Sequence, residues 1–310
     1  MERKNQSMPI FYMMGLPNHP ELQPLFFTIF LVIYIAALLG NILISTIITS
    51  DSRLHTPMYF FLINLSTLDI FCTTAAIPKF LQVIQSKDKT ISFYGCIAQM
   101  CLFSAFLGTE LLLLTVMAYD RYVAICHPLH YTTMMSRRTC FSLAALVWIV
   151  GFVHSMIQTS LIPRLKFCQY NIIHHFFCEI PAVLKVACSD TYVNNVAIII
   201  GDVLLGMVCF ILTVISYTYI ISTILKIRSA EKKKKAFSTC GSHLTVVTLF
   251  YGGVIYTYVR PGFSNILEAD KVVSAFYVII SPLMNPVIYS LRNKEVINAL
   301  KKLLERKLCL

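Results

Sequence analysis

The sequence predicts an all-α membrane protein: a bundle of seven transmembrane helices with an extracellular N-terminus and a short amphipathic eighth helix. Scarcity of charge, the spacing of that charge and the side on which the cations fall lead there. Of 310 residues, 57% are hydrophobic and 13% charged, against about 25% charged in an average soluble chain. Glu21 and Asp51 bracket 29 uncharged residues, Arg138 and Arg164 bracket 25, Lys235 and Arg260 bracket 24, and Lys271 and Arg292 bracket 20. Each run meets the ~20 residues needed to cross ~30 Å of hydrocarbon. Three more segments qualify with one acid in each: 56–78 around Asp69, 91–119 around Glu110 and 195–225 around Asp202.

An odd number of spans puts the termini on opposite sides. With the N-terminus outside, 16 of the 26 Lys and Arg residues fall on inner faces, Lys232–Lys235 being the densest cluster. The positive-inside rule therefore favours that orientation. Three regions follow: an outer tail over 1–24, the helical domain over 25–291, and an inner amphipathic helix with its tail over 292–310. The net charge of +11 reads as juxtamembrane residues meeting anionic lipid and a cytosolic partner, not nucleic acid. Residues 1–20 hold no apolar core followed by a cleavage site, so the first span is expected to direct insertion.

In chain order, the outer tail carries Asn5-Gln6-Ser7, a glycosylation acceptor. Span one holds Gly40-Asn41. Span two opens on Leu-His-Thr-Pro-Met-Tyr-Phe-Phe-Leu at 54–62 and contains Leu65-Ser66-Thr67-Leu68-Asp69. Span three closes on Met-Ala-Tyr-Asp-Arg-Tyr-Val-Ala-Ile-Cys at 117–126, where charges mark the edge of the bilayer. Span four contains Trp148, the only tryptophan. Span six starts Lys-Ala-Phe-Ser-Thr-Cys-Gly-Ser-His-Leu at 235–244 and carries Phe250-Tyr251-Gly252-Gly253, two glycines that permit bending without proline. Span seven ends Pro-Leu-Met-Asn-Pro-Val-Ile-Tyr at 282–289. Val296, Ile297, Leu300, Leu303 and Leu304 share one face of a helix over 293–307, which should lie along the inner membrane surface.

Two acids sit at mid-membrane. Asp69 lies roughly 20 Å from the inner end of span two at ~1.5 Å per residue. Glu110 precedes Arg121 by eleven residues, close to three turns and so on the same helix face. Asn41, Ser66, Ser281 and Asn285 share that level. Two carboxylates at one depth either share a proton or surround a cation. Arg121 cannot lose its charge and needs a partner, which Asp120 can supply in one state. Of the eleven cysteines, Cys96, Cys168, Cys178 and Cys188 fall on the outer, oxidising side, where three pairings are open. His174, His175, Cys178 and Glu179 have metal-binding residue types at short spacing, but a disulfide would take Cys178 out of that set.

These motifs, in this order over residues 5–300, resemble the olfactory receptors, a branch of the rhodopsin-like (class A) G-protein-coupled receptors, and within it the tetrapod-type class II. The resemblance implies a coupling switch of Asp120, Arg121 and Tyr122, with Tyr217 and Tyr289 rearranging around the arginine. It implies disulfides Cys96–Cys178 and Cys168–Cys188. A sodium ion at Asp69 and Glu110 is implied as well, beside the protonated-pair alternative; no other cofactor is expected.

The pocket the resemblance implies is walled by Phe103, Ser104, Leu107 and Gly108. Facing them are Asp202 and Leu205, then Tyr251, Val254, Ile255 and Tyr258, then Tyr277. Such a lining suits a small volatile organic molecule. Asp202 is its one strong polar group, with the alternative of an acid that caps a helix or faces a loop. The chain departs from the wider superfamily in span six, which lacks the Cys-Trp-x-Pro motif, so Tyr251 would take the tryptophan's role. The expected partners are an odorant, a stimulatory-type heterotrimeric G protein acting through cAMP, membrane lipid and a trafficking chaperone, at the plasma membrane of sensory cilia.

Other classes fare worse. A transporter or channel would want repeats or a path of charges through the bundle. An intramembrane enzyme would want a catalytic set that is not evident here. His154 and His243 stand alone and read as interhelical hydrogen-bonders. A non-olfactory chemosensory receptor is the nearest alternative.

Overall fold

The computed structural model describes residues 10–14, 20–86, 88–168, 171–259, 280–291 and 294–308. Asn5 and Tyr277 lie outside them, as do the side chains of Val254, Ile255 and Tyr258.

Long helices dominate: α1 (Gln23–Ser50), α2 (Pro57–Gln85), α3 (Phe93–Cys126), the short α4 (Tyr131–Met134), α5 (Arg137–Ser160), the short α6 (Ile180–Leu184), α7 (Tyr192–Lys226), α8 (Ala230–Val259), α9 (Ser281–Leu291) and α10 (Lys294–Leu308). Five of them, α1, α2, α3, α5 and α7, are long and apolar enough to cross a bilayer. Their starts follow local chemistry. Pro57 occupies the first turn of α2, where its missing N–H costs nothing. Ser92 caps α3 by accepting from the Gly95 N–H, and Ser136 caps α5 by accepting from the Thr139 N–H. Hydroxyls within the spans are satisfied locally, as where Thr46 and Thr109 donate to the carbonyls of Ile42 and Ala105.

Several helices outrun the charge-free windows that announced them. The α2 helix continues seven residues beyond 78, through Pro78 itself, and Gln99 donates to the Ala75 carbonyl at 2.8 Å just before that proline. The donor that Pro78 lacks would have served the Thr74 carbonyl, one residue before the one Gln99 reaches. The α3 helix runs through Asp120-Arg121-Tyr122 to Cys126, and α8 begins at Ala230, ahead of the lysine run. Charged residues end a hydrophobic window without ending a helix.

One core joins α1, α2, α3 and α5 with Cys209 of α7, Val246, Val247, Phe250 and Tyr251 of α8, and Ile288 and Tyr289 of α9. Ala118, Tyr217, Ile220, Ile224 and Cys240 form a smaller cluster nearer the inner end. Exposed apolar side chains such as Val32 and Leu39 on α1, or Leu204 and Val208 on α7, form the outer surface expected of a bundle in lipid. At one end the all-α expectation needs amendment. Strands β1 (Ile10–Met13), β2 (Thr90–Ser92) and β3 (Ile172–Ile173) make a small sheet in the order β2-β1-β3. Phe11 faces Ile91 across the antiparallel pair, and Met13 is level with Ile173 across the parallel one. Strands this short carry almost no periodicity, so nothing in the sequence announced them.

Candidate functional site

The sheet end is cross-linked twice, by Cys96–Cys178 and Cys168–Cys188. Phe11 and Met13 are fully buried there, with Phe11 edge-on to Phe167 at 5.2 Å. Gln99, unremarked in the sequence, secures the arrangement: its Oε1 accepts from the Cys178 N–H at 2.8 Å while its amide serves Ala75. The chain around Cys178 turns inward as a plug. Phe177 packs edge-on against Phe103 at 4.7 Å, and Phe176 lies 5.3 Å from Phe80. His175 is buried between these rings, 3.3 Å from Glu179. With Cys178 held in a disulfide, its sulfur is lost to any metal.

Below the plug stand the residues expected to line a pocket. Phe103 is buried, while Ser104 and Leu107 are half-buried on α3. Gly108 faces α5 and α7 together: a Cβ built there would lie 3.9 Å from the Gly151 backbone, the His154 imidazole and the Leu205 side chain. Small residues let these helices approach closely. A Cβ on Gly151 would collide with the Thr109 hydroxyl and crowd the Ala105 carbonyl at 3.0 Å. Asp202 neither caps a helix nor faces a loop. It sits inside α7 and accepts from Gln158 Nε2 at 2.8 Å, with His154 Nε2 at 3.3 Å. So His154 is not isolated, because residues 154 and 158 lie one turn apart on α5 and converge on one carboxylate. Tyr251 is buried on α8, its ring 5.3 Å from Phe210.

At mid-membrane the two acids are joined through α9. Asn285 Nδ2 donates to both Asp69 oxygens at 3.2 and 3.0 Å, and Ser281 Oγ donates to Glu110 Oε1 at 3.1 Å. Residues 281 and 285 are one turn apart, so one helix face serves both carboxylates. Both acids are almost completely buried, where an unpaired charge is costly. Asn41 donates to the Pro282 carbonyl at 3.0 Å, and its own Oδ1 is buried with no hydrogen-bond partner among the described residues. Oxygen ligands around two acids are the donor set of a hard cation.

Toward the inner end, Asp120 and Arg121 do not form the expected ion pair. Asp120 Oδ1 accepts instead from the Tyr131 hydroxyl at 2.8 Å, while half-buried Arg121 has no ion pair among the described residues. Successive residues of a helix point about 100° apart, so neighbours in sequence do not face each other. Burial, and then the adjacent Asp120 carboxylate, push the Tyr131 phenol above its usual range. It therefore remains a donor throughout physiological pH. Tyr122 contacts His127 Nε2 at 3.0 Å. Tyr217 meets His243 Nδ1 at 2.6 Å, linking α7 to α8, and Tyr289 Oη is buried without a partner among the described residues. Beside them Tyr59 donates to Glu295 at 2.9 Å and ties α2 to α10. At the inner turn after α1, hydrogen bonds from Arg53 hold the Asp51 carboxyl below the usual carboxylate range.

The comparisons with known proteins agree on one family. The family model described as olfactory receptor matches residues 30–307. Olfactory receptor 13G1 of Homo sapiens is 49% identical over 292 residues, covering 94% of this chain and 95% of that protein. Olfactory receptor 13A1 of Homo sapiens is 49% identical over 293 residues, covering 94% and 89% respectively. Olfactory receptor 1E16 of Mus musculus is 48% identical over 301 residues, covering 97% and 96%. On this evidence the chain belongs to the olfactory receptor family and is a seven-helix membrane protein of the plasma membrane.

Proposed function

We propose that this chain is an odorant receptor that binds a small, mainly neutral volatile between α3, α5, α7 and α8 and drives a stimulatory-type G protein, raising cAMP. The observation that carries the reading is family membership over nearly the whole chain, joined to an Arg121 left out of any ion pair among the described residues. Phe103, Ser104, Leu107, Gly108, Asp202, Leu205 and Tyr251 are the described part of the pocket; Val254, Ile255, Tyr258 and Tyr277 complete it in this reading. Ligand binding beneath the Phe177 plug shifts α8 relative to α7, breaks Tyr217 from His243, and frees Tyr217 and Tyr289 to meet Arg121. The switch residues are thus Asp120, Arg121, Tyr122, Tyr217 and Tyr289, a two-state element that ligand and G protein bias together.

The outer face is the sheet end, because disulfides form in oxidising compartments. That orientation supports the division into an outer tail over 1–24, a receptor domain over 25–291 and an inner region over 292–310. Asn5 is the glycosylation site of this reading. Asp69 and Glu110 hold a sodium ion, a role favoured by the orphaned Asn41 Oδ1. The amphipathic α10 lies on inner-leaflet lipid, and an accessory chaperone delivers the receptor to cilia.

Expression with such a chaperone, followed by cAMP measurement across a panel of volatiles, tests the proposal. Dose-dependent responses to neutral alcohols, aldehydes, ketones or esters are expected. Strong selective activation by carboxylates would contradict it, because no Lys or Arg lines the pocket as proposed.

A further inference from the structure

Asp202, Gln158 and His154 form a polar cluster beside the described pocket residues. Gly201 permits it: a Cβ there would stand 3.0 Å from His154 Nε2 and 3.4 Å from Gln158 Nε2. Asp202 Oδ1 lies 3.3 Å from His154 Nε2 and receives the Gln158 amide at 2.8 Å. Two lone pairs facing each other at that separation repel, so the ring nitrogen beside the carboxylate is the one that carries hydrogen. The other nitrogen of the neutral imidazole, Nδ1, is then a bare acceptor. It is buried and has no hydrogen-bond partner among the described residues. A Cβ built on Gly108 would stand 3.9 Å from Nδ1, so the missing side chain leaves about the space of a methyl group against it on the α3 side. A buried acceptor with no donor is unfavourable, and a ligand that brings a donor relieves it.

We propose that His154 Nδ1 selects the ligand class: the pocket takes volatiles with an O–H donor, alcohols and phenols, in preference to ketones, aldehydes and ethers of the same shape. This inference rests on the pocket lying between α3, α5 and α7. Asp202 acts as a positioning residue, because it fixes which nitrogen carries the hydrogen. Without the carboxylate, the nearest group to Nε2 is the Gln158 amide at 3.3 Å. That amide then donates to Nε2 and the hydrogen moves to Nδ1. Alcohols, ketones and ethers all accept it, but only the alcohol keeps an O–H with no acceptor, and the preference turns against it.

The test uses matched probes in the full-length receptor at equal surface density: cyclohexanol, cyclohexanone and methoxycyclohexane; hexan-1-ol, hexanal and 1-methoxypentane; phenol and anisole. The expected wild-type EC50 for the hydroxyl member of each set is lower by about tenfold, the effect of one net hydrogen bond. His154→Phe brings the hydroxyl-to-ether ratio to within about twofold of unity. His154→Asn, which keeps an acceptor near the Nδ1 position, restores part of it. Asp202→Leu turns the ratio in favour of ketone and ether, which a merely structural role for Asp202 does not do. Should His154→Phe fail to reach the surface, the Asp202→Leu ratio decides. A wild type preferring carbonyls or ethers, or a ratio unmoved in these variants, overturns the inference while odorant reception stands. Silence of the surface-expressed wild type to every probe overturns both.

Discussion

At the residue scale, two contacts carry consequences the sequence did not announce. The first joins Tyr131 to Asp120. Removing the hydroxyl leaves a buried carboxylate oxygen without its donor, at a cost of ~1–3 kcal/mol. Because the contact ties the segment after α3 to the switch, and not to the pocket, Tyr131→Phe should lower maximal odorant-driven cAMP with little change in EC50. An EC50 shift larger than the loss of maximum would contradict that assignment. The raised phenol keeps its proton at every physiological pH, so titration of Tyr131 itself should contribute no pH dependence there. The second contact is the approach of α5 to α3 at Gly151, where even a methyl group would meet Thr109 and the Ala105 backbone. Gly151→Val should cost ~1–3 kcal/mol as overpacking, seen as a lower melting temperature in detergent. An unchanged melting temperature would mean that the helices separate freely. Tyr131 and Gly151 were invisible in one dimension, because each matters only through a partner on another element.

At the element scale, spacing of charge located the spans, and amphipathic periodicity located α10, observed at Lys294–Leu308 against the expected 293–307. The helix ends were less legible. Gln99 next to Pro78, and the caps Ser92 and Ser136, decide where helices run or stop, and those are contacts of single side chains. The outer sheet was not legible at all, since its strands gain order from the disulfides and from buried Phe11 rather than from their own pattern. A native disulfide typically contributes ~2–4 kcal/mol. Cys96→Ser or Cys178→Ser should therefore lose surface delivery, read by labelling of intact cells. Full delivery of either variant would show that the sheet and Gln99 suffice without the bond.

At the scale of the whole molecule, the bundle is a set of apolar helices threaded by a few polar stations: Asp202 with its α5 partners, then Asp69 of α2 and Glu110 of α3 joined through α9, then Arg121. The acids and their depths were readable because a charge in an apolar run stands out. The partner geometry was not, and Asp120 turned to Tyr131 instead of its neighbour in sequence. If Asp69 and Glu110 hold sodium, replacing sodium by a bulky organic cation should alter basal cAMP, and Asp69→Asn should abolish that sensitivity. Basal signalling indifferent to sodium in the wild type would leave a protonated pair as the reading.

The central claim is that a ligand bound among α3, α5, α7 and α8 acts through Arg121 on a G protein. Its most direct measurement is odorant-driven nucleotide exchange on a purified stimulatory-type G protein, with wild type and Arg121→Ala reconstituted at equal density. The account predicts odorant-dependent exchange in the wild type and its loss in Arg121→Ala, with odorant binding retained by both. Equal exchange in the two proteins would contradict it.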